Sequence, residues 1–198
     1  MAKGPSHSVP FRRRREGKTD YKSRQALVLS EFPRLVVRGT SRHTIAQMIE
    51  ADVIGDKVVV SVNSRELQEK HGWQGACGNI PAAYLAGLLC GYRAVISGIK
   101  EAVLDIGLQT PSPGARVFAA LKGVIDTGIA VSHDEGILPD KSRISGQHIV
   151  DYANQLSANP DVYQKTFSKY LSRELRPEQL SEHFSSIKEK IVSSFERE

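Results

Sequence analysis

The stretch "RLVVRGTSRHTIAQMIEADVIGDKVVVSVNS", Arg34–Ser64, decides the fold. Pro33 opens it, and "RLVVRGT" is strand-like up to a Gly-Thr-Ser turn. In "RHTIAQMIEAD", Ile45, Gln47 and Ile49 recur with period two. "GDKVVVSVNS" is a turn followed by a Val-rich strand. Two short turn signals between three β-rich runs predict a three-stranded antiparallel meander. Beyond it the period changes. After the Gly-rich loop "HGWQGACGN", Ile80–Lys100 reads as a helix, with Asn79 as N-cap and Pro81 in the first turn. Glu101–Gly107 reads as a short buried strand, Ala115–Ile129 as a second helix and Ile129–Asp134 as a last strand. Helices alternating with strands after an antiparallel block predict an α/β or α+β fold on a mixed sheet.

The flanks differ from this centre. Residues 1–24 read as an extended arm, because Gly4, Pro5, Pro10 and Gly17 discourage helix and the charges repel one another. A short helix is expected from Asp20, as N-cap, to Leu29. Toward the C-terminus, Ser145–Ser157 and Asp161–Leu171 read as helices. Pro177–Phe195 is amphipathic, with Leu180, Phe184, Ile187, Ile191 and Phe195 on one face, and is expected to pack on the body or, failing that, on a partner. The organisation expected is an arm over 1–30, an α/β core over 31–144 and a helical extension over 145–198.

Charge follows the same division. The chain of 198 residues carries 27 Lys and Arg against 22 Asp and Glu, net +5. Residues 1–30 hold eight basic and two acidic side chains, net +6, so the remaining 168 residues, with 19 basic and 20 acidic, are net −1. An excess confined to one arm points to a polyanionic partner. Cys77 and Cys90 make neither a disulfide framework nor a zinc motif. No apolar run reaches the roughly 18–20 residues of a membrane span, and the basic N-terminus lacks a signal-peptide apolar region. A cytosolic location is expected.

Several motifs could carry chemistry. The run Arg12–Arg15, in "VPFRRRREGKTDYKSR", offers planar forks that bind phosphate, with Phe11 and Tyr21 near enough to stack on bases. "SPGARVF", Ser112–Phe118, opens a helix whose backbone amides suit phosphate, with Arg116 in the first turn, or is simply a helix start. "LDIG", Leu104–Gly107, ends a strand in an acidic residue, one element of a two-metal nuclease or phosphotransferase site. Asp105 would then need partners such as Asp126, Asp134 or Glu135 to hold Mg²⁺, and the alternative is a loop-capping carboxylate. The six histidines lack metal-ligand spacing, and there is no G-x-S-x-G elbow. Trp73 either stacks on a base or packs across the end of the first helix.

The series "VPFRRRREGKTDYKSR", "PRLVVRGTSRHTIAQMI", "GNIPAAYLAGLL", "EAVLDIGL", "PGARVFAALKGVIDTG" and "HDEGILPDKSRISGQHI" closely resembles the archaeal form of the universal large-subunit ribosomal protein that binds 5S rRNA. That family is number eighteen in bacterial naming and number five in eukaryotic naming. The likeness covers roughly residues 5–153 and, more loosely, the tail. It implies an α/β fold: a mixed, mostly antiparallel sheet with two helices on one face, resembling ribonuclease-H-type enzymes. It implies a non-catalytic protein of the cytoplasmic ribosome, without cofactor or metal, in the central protuberance. The partners implied are 5S rRNA, the large-subunit rRNA and neighbouring ribosomal proteins, with no membrane. Carried onto this chain, the RNA-binding residues are Arg12, Arg13, Arg14, Arg15, Lys18, Tyr21 and Arg24 in the arm. Arg34, Arg38, Ser41, Arg42 and His43 follow on the first strand and hairpin, where Gly39 and Thr40 interrupt the family's turn and Arg42 stands where Lys is common. Arg116 completes the set.

Overall fold

The computed structural model describes residue 4 and residues 7–195; the start of the expected arm, at residues 1–3, 5 and 6, lies outside the described residues. The meander forms as expected. Strands β1 (Arg34–Gly39), β2 (Thr44–Ala51) and β3 (Asp56–Asn63) pair antiparallel, with Val36 opposite Gln47 and Gln47 opposite Ser61. Strand β4 (Glu101–Asp105) then pairs parallel to β1, and β5 (Ala130–Val131) parallel to β4. The sheet order is β3-β2-β1-β4-β5. The antiparallel meander supplies most of the ladder.

Two helices cover one face. α4 (Ile80–Ile96) lies against β2 and β3, and α5 (Arg116–Ile125) against β1 and β5. Preceding them, α1 is Arg12–Arg15, α2 is Tyr21–Leu29 and α3 is Glu66–His71. The Asn79 side chain accepts from Ala82 N–H at 3.0 Å and starts α4 as the sequence indicates. The helix stops four residues before the expected Lys100. Gly98 takes φ +81°, and Ile99 N–H bonds back to Ala94 O at 3.0 Å, turning the chain into the buried Ile99. α4 and α5 pack backbone to backbone: a Cβ on Gly87 would collide with the Ala120 carbonyl, and one on Gly123 with the Tyr84 carbonyl.

Other boundaries also depart from expectation. β4 ends at Asp105 because its carboxylate accepts from Gly107 N–H at 2.8 Å and closes a turn. α5 ends at Ile125, where Thr127 Oγ1 bonds back to Val124 O at 2.7 Å. The last strand shrinks to Ala130–Val131. Within the arm, Arg12–Arg15 form one helical turn rather than extended chain. The Phe11 carbonyl accepts from Arg14 and Arg15 N–H at 3.0 Å, and Glu16 pairs with Arg12 at 2.8 Å, offsetting the repulsion. α3 has no counterpart in the sequence reading; Glu66 fastens it to α4 through Arg93 at 2.9 Å.

The C-terminal segments fold onto the body. The expected helix Ser145–Ser157 is divided at Gly146, φ +86°, into α6 (Lys141–Ser145) and α7 (Gln147–Leu156). α8 (Pro160–Leu171) follows, then a 3-10 turn at Pro177–Gln179 and α9 (Leu180–Phe195). The predicted apolar face of α9 is the buried one: Leu180, Phe184, Ile187 and Ile191. Phe184 meets Tyr84 at 5.7 Å and Phe195 stacks on Tyr92 at 5.1 Å between ring centroids, so the tail shares the core of α4. No helix among the described residues is long and apolar enough to cross a membrane.

Candidate nucleic-acid interface

Alternation along β1 sets the chemistry of the face opposite α4 and α5. Leu35 and Val37 point into the helix layer and are fully buried; Arg34, Val36 and Arg38 point the other way. The parallel register places Val36 beside Asp105, so Arg34 and Arg38 flank that carboxylate from either side. Arg38 Nη2 lies 2.7 Å from Asp105 Oδ1, and its Nη1 donates to the Asp105 carbonyl at 2.6 Å. Arg34 Nη1 lies 3.3 Å from Asp105 Oδ2, and Arg34 Nη2 lies 2.7 Å from Asp56 Oδ1. Arg24 of α2 reaches the same Asp56 oxygen at 2.8 Å. The result is a line of alternating charge, Arg24–Asp56–Arg34–Asp105–Arg38. Burial opposes ionisation of Asp56, but the hydrogen bond from Arg24 and the adjacent Arg34 cation outweigh it and hold the carboxyl below its ordinary range.

This line corrects one expectation. Arg34 is 2% exposed and held between two carboxylates, so it braces the sheet rather than joining an RNA-facing surface. Asp105 is likewise committed. It serves as the loop-capping carboxylate, and the arginines on both its oxygens repel a divalent cation. Two of the other carboxylates weighed for a metal site are used elsewhere: Asp126 accepts from Tyr84 Oη at 2.7 Å in the helix layer, and Asp134 caps the turn at Gly136. Among the described residues no three His, Cys, Asp or Glu side chains are grouped to hold a metal.

Between α2 with the residues before it and the loop after β4 lies a cleft of about 1280 Å³. Arg13, Lys18, Arg24 and Arg38 line it, with Tyr21 and Gln109. Its carboxylates are all engaged: Asp56 and Asp105 with arginines, and Asp20 as N-cap of α2, accepting from Lys22 N–H at 3.0 Å and Ser23 Oγ at 2.6 Å. Ahead of α2, Phe11 lies against Tyr21, 5.9 Å between ring centroids. Within the arm, Glu16 neutralises part of the charge. Lys18 and then Arg12 bond its carboxylate and lower its pKa. Arg14 and Arg15 make no ion pair among the described residues and are exposed.

The hairpin between β1 and β2 forms the second cationic point. Thr40 closes the turn twice: its N–H donates to His43 O at 2.8 Å and its Oγ1 accepts from His43 N–H at 3.0 Å. Ser41 and Arg42 stand exposed at the tip, and Arg42 has no carboxylate partner among the described residues. Arg116 lies beneath. Its Nη1 donates to Thr40 O and to Gly78 O, both at 2.7 Å. Trp73 does not face solvent for base stacking. It is 2% exposed, donates from Nε1 to Ala76 O at 3.2 Å and stacks on His183 of α9 at 5.1 Å.

Of the sequence-derived residues, the structure thus brings Arg13, Lys18, Tyr21, Arg24 and Arg38 to one cleft, and Ser41, Arg42 and His43 to one hairpin. Sequence reasoning missed Gln109, which lines the cleft and reaches Gly39 O at 3.4 Å, and Asp56, which fastens α2 to the sheet. No local signal marks Gln109. Asp56 carries one, as an acidic residue opening an edge strand beside an arginine-rich arm.

A family model described as ribosomal large subunit proteins 60S L5 and 50S L18 matches residues 6–99 and 96–134. The matched span takes in the arm from residue 6, all five strands, α4 and α5.

Proposed function

Because the chain belongs to the family of ribosomal large subunit proteins 60S L5 and 50S L18, and so has a structural role in the large ribosomal subunit, we propose that it binds 5S rRNA. In this reading it helps attach 5S rRNA to the large-subunit rRNA and neighbouring proteins of the central protuberance, within the cytoplasmic ribosome and without turnover. The observation that carries the reading is the coincidence of the family match with free positive charge. Arg14, Arg15, Lys22 and Arg42 lie in the matched span, exposed and without carboxylate partners among the described residues.

The two cationic points divide the work physically. The arm sets the free forks of Arg14 and Arg15, with Lys22, along a phosphate backbone and releases counterions, which supplies affinity with little dependence on sequence. The hairpin tip, a closed turn carrying Ser41, Arg42 and His43, is rigid enough to recognise shape. The engaged state of Asp105 opposes the rival reading of a Mg²⁺-dependent nuclease.

A salt titration tests the proposal. The 198-residue chain and a variant lacking residues 1–24 are titrated with 5S rRNA and with an unrelated structured RNA of equal length. The full chain is expected to prefer 5S rRNA. Truncation is expected to weaken binding and flatten the log–log salt slope by roughly 0.7–0.9 for each phosphate that is no longer neutralised. Equal binding of both RNAs, or a truncation without effect, overturns the reading.

A further inference from the structure

Arg116 sits in the first turn of α5 where a phosphate contact is the obvious role, yet the two hydrogens of Nη1 are committed inside the protein. They go to Thr40 O on the hairpin and Gly78 O on the Gly-rich loop before α4, at 2.7 Å each. Those carbonyls belong to segments far apart in sequence, and one guanidinium nitrogen joins them. Their approach is close. A Cβ on Gly78 would lie 2.7 Å from the Ser41 carbonyl, and one on Gly39 would lie 3.3 Å from Arg116 Nη2. Gln109 Nε2 adds a long hydrogen bond to Gly39 O at 3.4 Å. On the far side, the Gly-rich loop is itself braced by the tail. Arg173 Nη1 donates to Gly75 O at 2.8 Å, Gln74 N–H donates to His183 Nε2 at 3.0 Å, and Asn79 Nδ2 reaches Tyr170 Oη at 3.3 Å.

We propose that Arg116 is a positioning residue: its guanidinium clamps the β1–β2 turn onto the Gly-rich loop, and so presents Ser41, Arg42 and His43 to RNA. This rests on the RNA-binding reading for its consequence but not for the clamp itself. The clamp needs a planar cation. One terminal nitrogen must meet two carbonyls on different segments while the rest of the fork packs against Gly39. Lys keeps the charge but presents a compact, strongly hydrated ammonium on a flexible stem. A charge-assisted hydrogen bond to a carbonyl is a strong one, and losing two frees the turn without opening the core.

The test compares R116A, R116K and R42A with the parent chain. Amide hydrogen exchange in the free protein reads the clamp, and titration with 5S rRNA against an unrelated RNA reads its consequence. Expected is faster exchange at the Thr40 and His43 amides, by about tenfold or more, in R116A and largely also in R116K, with R42A unchanged. R116A and R116K should both lose preference for 5S rRNA, whereas R42A should reduce the salt slope by roughly 0.7–0.9. Unchanged turn exchange in R116A overturns the clamp. R116K restoring full binding while its turn exchanges fast overturns the positioning role, because charge alone would then suffice. If the parent chain shows no preference for 5S rRNA, the RNA reading fails, while the exchange data still decide whether Arg116 holds the turn.

Discussion

Asp105→Asn removes one negative charge from the line Arg24–Asp56–Arg34–Asp105–Arg38 while leaving its shape. Asn can still accept from Gly107 N–H, so the turn after β4 is kept and the change is electrostatic. Arg34, 2% exposed, loses one of its two counter-charges, and Arg38 loses the one it has among the described residues. Removing one partner of a buried ion pair costs about 3–5 kcal/mol. Two features set this site at the low end. Arg38 is 40% exposed and water can solvate it, and Arg34 keeps Asp56 at 2.7 Å. The expected loss is therefore about 3 kcal/mol, or about 6–12 °C in melting temperature for a chain of this size.

Arg34→Met provides the internal control. It deletes the buried cation but leaves Asp105 with Arg38 and Asp56 with Arg24, so each carboxylate keeps a partner. Its cost should be about half that of Asp105→Asn or less. Both are measured by urea unfolding followed by circular dichroism. The same Asp105→Asn protein incubated with RNA and Mg²⁺ should leave the RNA as intact as the parent chain does. An Asp105→Asn loss within about 0.5 kcal/mol, the range of an ordinary surface change, would refute the reasoning. So would a larger loss for Arg34→Met than for Asp105→Asn.

Three further outcomes are expected. Gly87→Ala forces a methyl group onto the Ala120 carbonyl, where both sides are backbone and neither can rotate away; destabilisation of about 3 kcal/mol, the top of the overpacking range, should show in denaturant unfolding. Leu180→Ala, at a fully buried position of α9, should cost about 2–5 kcal/mol, and tryptophan fluorescence should report it, because Trp73 stacks on the same helix. His183 accepts from Gln74 N–H through Nε2 and must be neutral to do so. Burial first, and Lys190 second, lower its pKa from the ordinary 6.5. The unfolded chain therefore takes up the proton first. Stability from this group is full above pH 6.5 and falls as pH drops through that value toward the folded pKa. His183→Gln should flatten that fall in a pH series of melting temperatures, leaving the part due to His71 and His148, which are also lowered by burial.

What could be read from the chain alone divides along a physical line. Period-two runs bounded by turn residues identify the meander because strand alternation and turn chemistry are local, and Leu180, Phe184, Ile187 and Ile191 identify the buried face of α9 for the same reason. The exact ends of α4 and β4 depend on Gly98 entering the left-handed region and on the Asp105 carboxylate reaching Gly107, and a helical or strand pattern cannot register either. The arginines divide most sharply. Arg34, Arg38, Arg42 and Arg116 are alike as letters, and a basic side chain near an RNA-binding motif reads as a contact wherever it stands. Only the parallel pairing of β1 with β4 puts Asp105 between Arg34 and Arg38, and only the packing of the Gly-rich loop against the hairpin puts two carbonyls before Arg116. A guanidinium with carboxylates or carbonyls already at 2.6–2.7 Å must break those bonds to meet a phosphate, whereas Arg42 gives up only water. The affinity for RNA should accordingly follow the number of free arginines rather than the total, which makes Arg14, Arg15 and Arg42 the substitutions with the largest effect on salt slope for the least effect on stability.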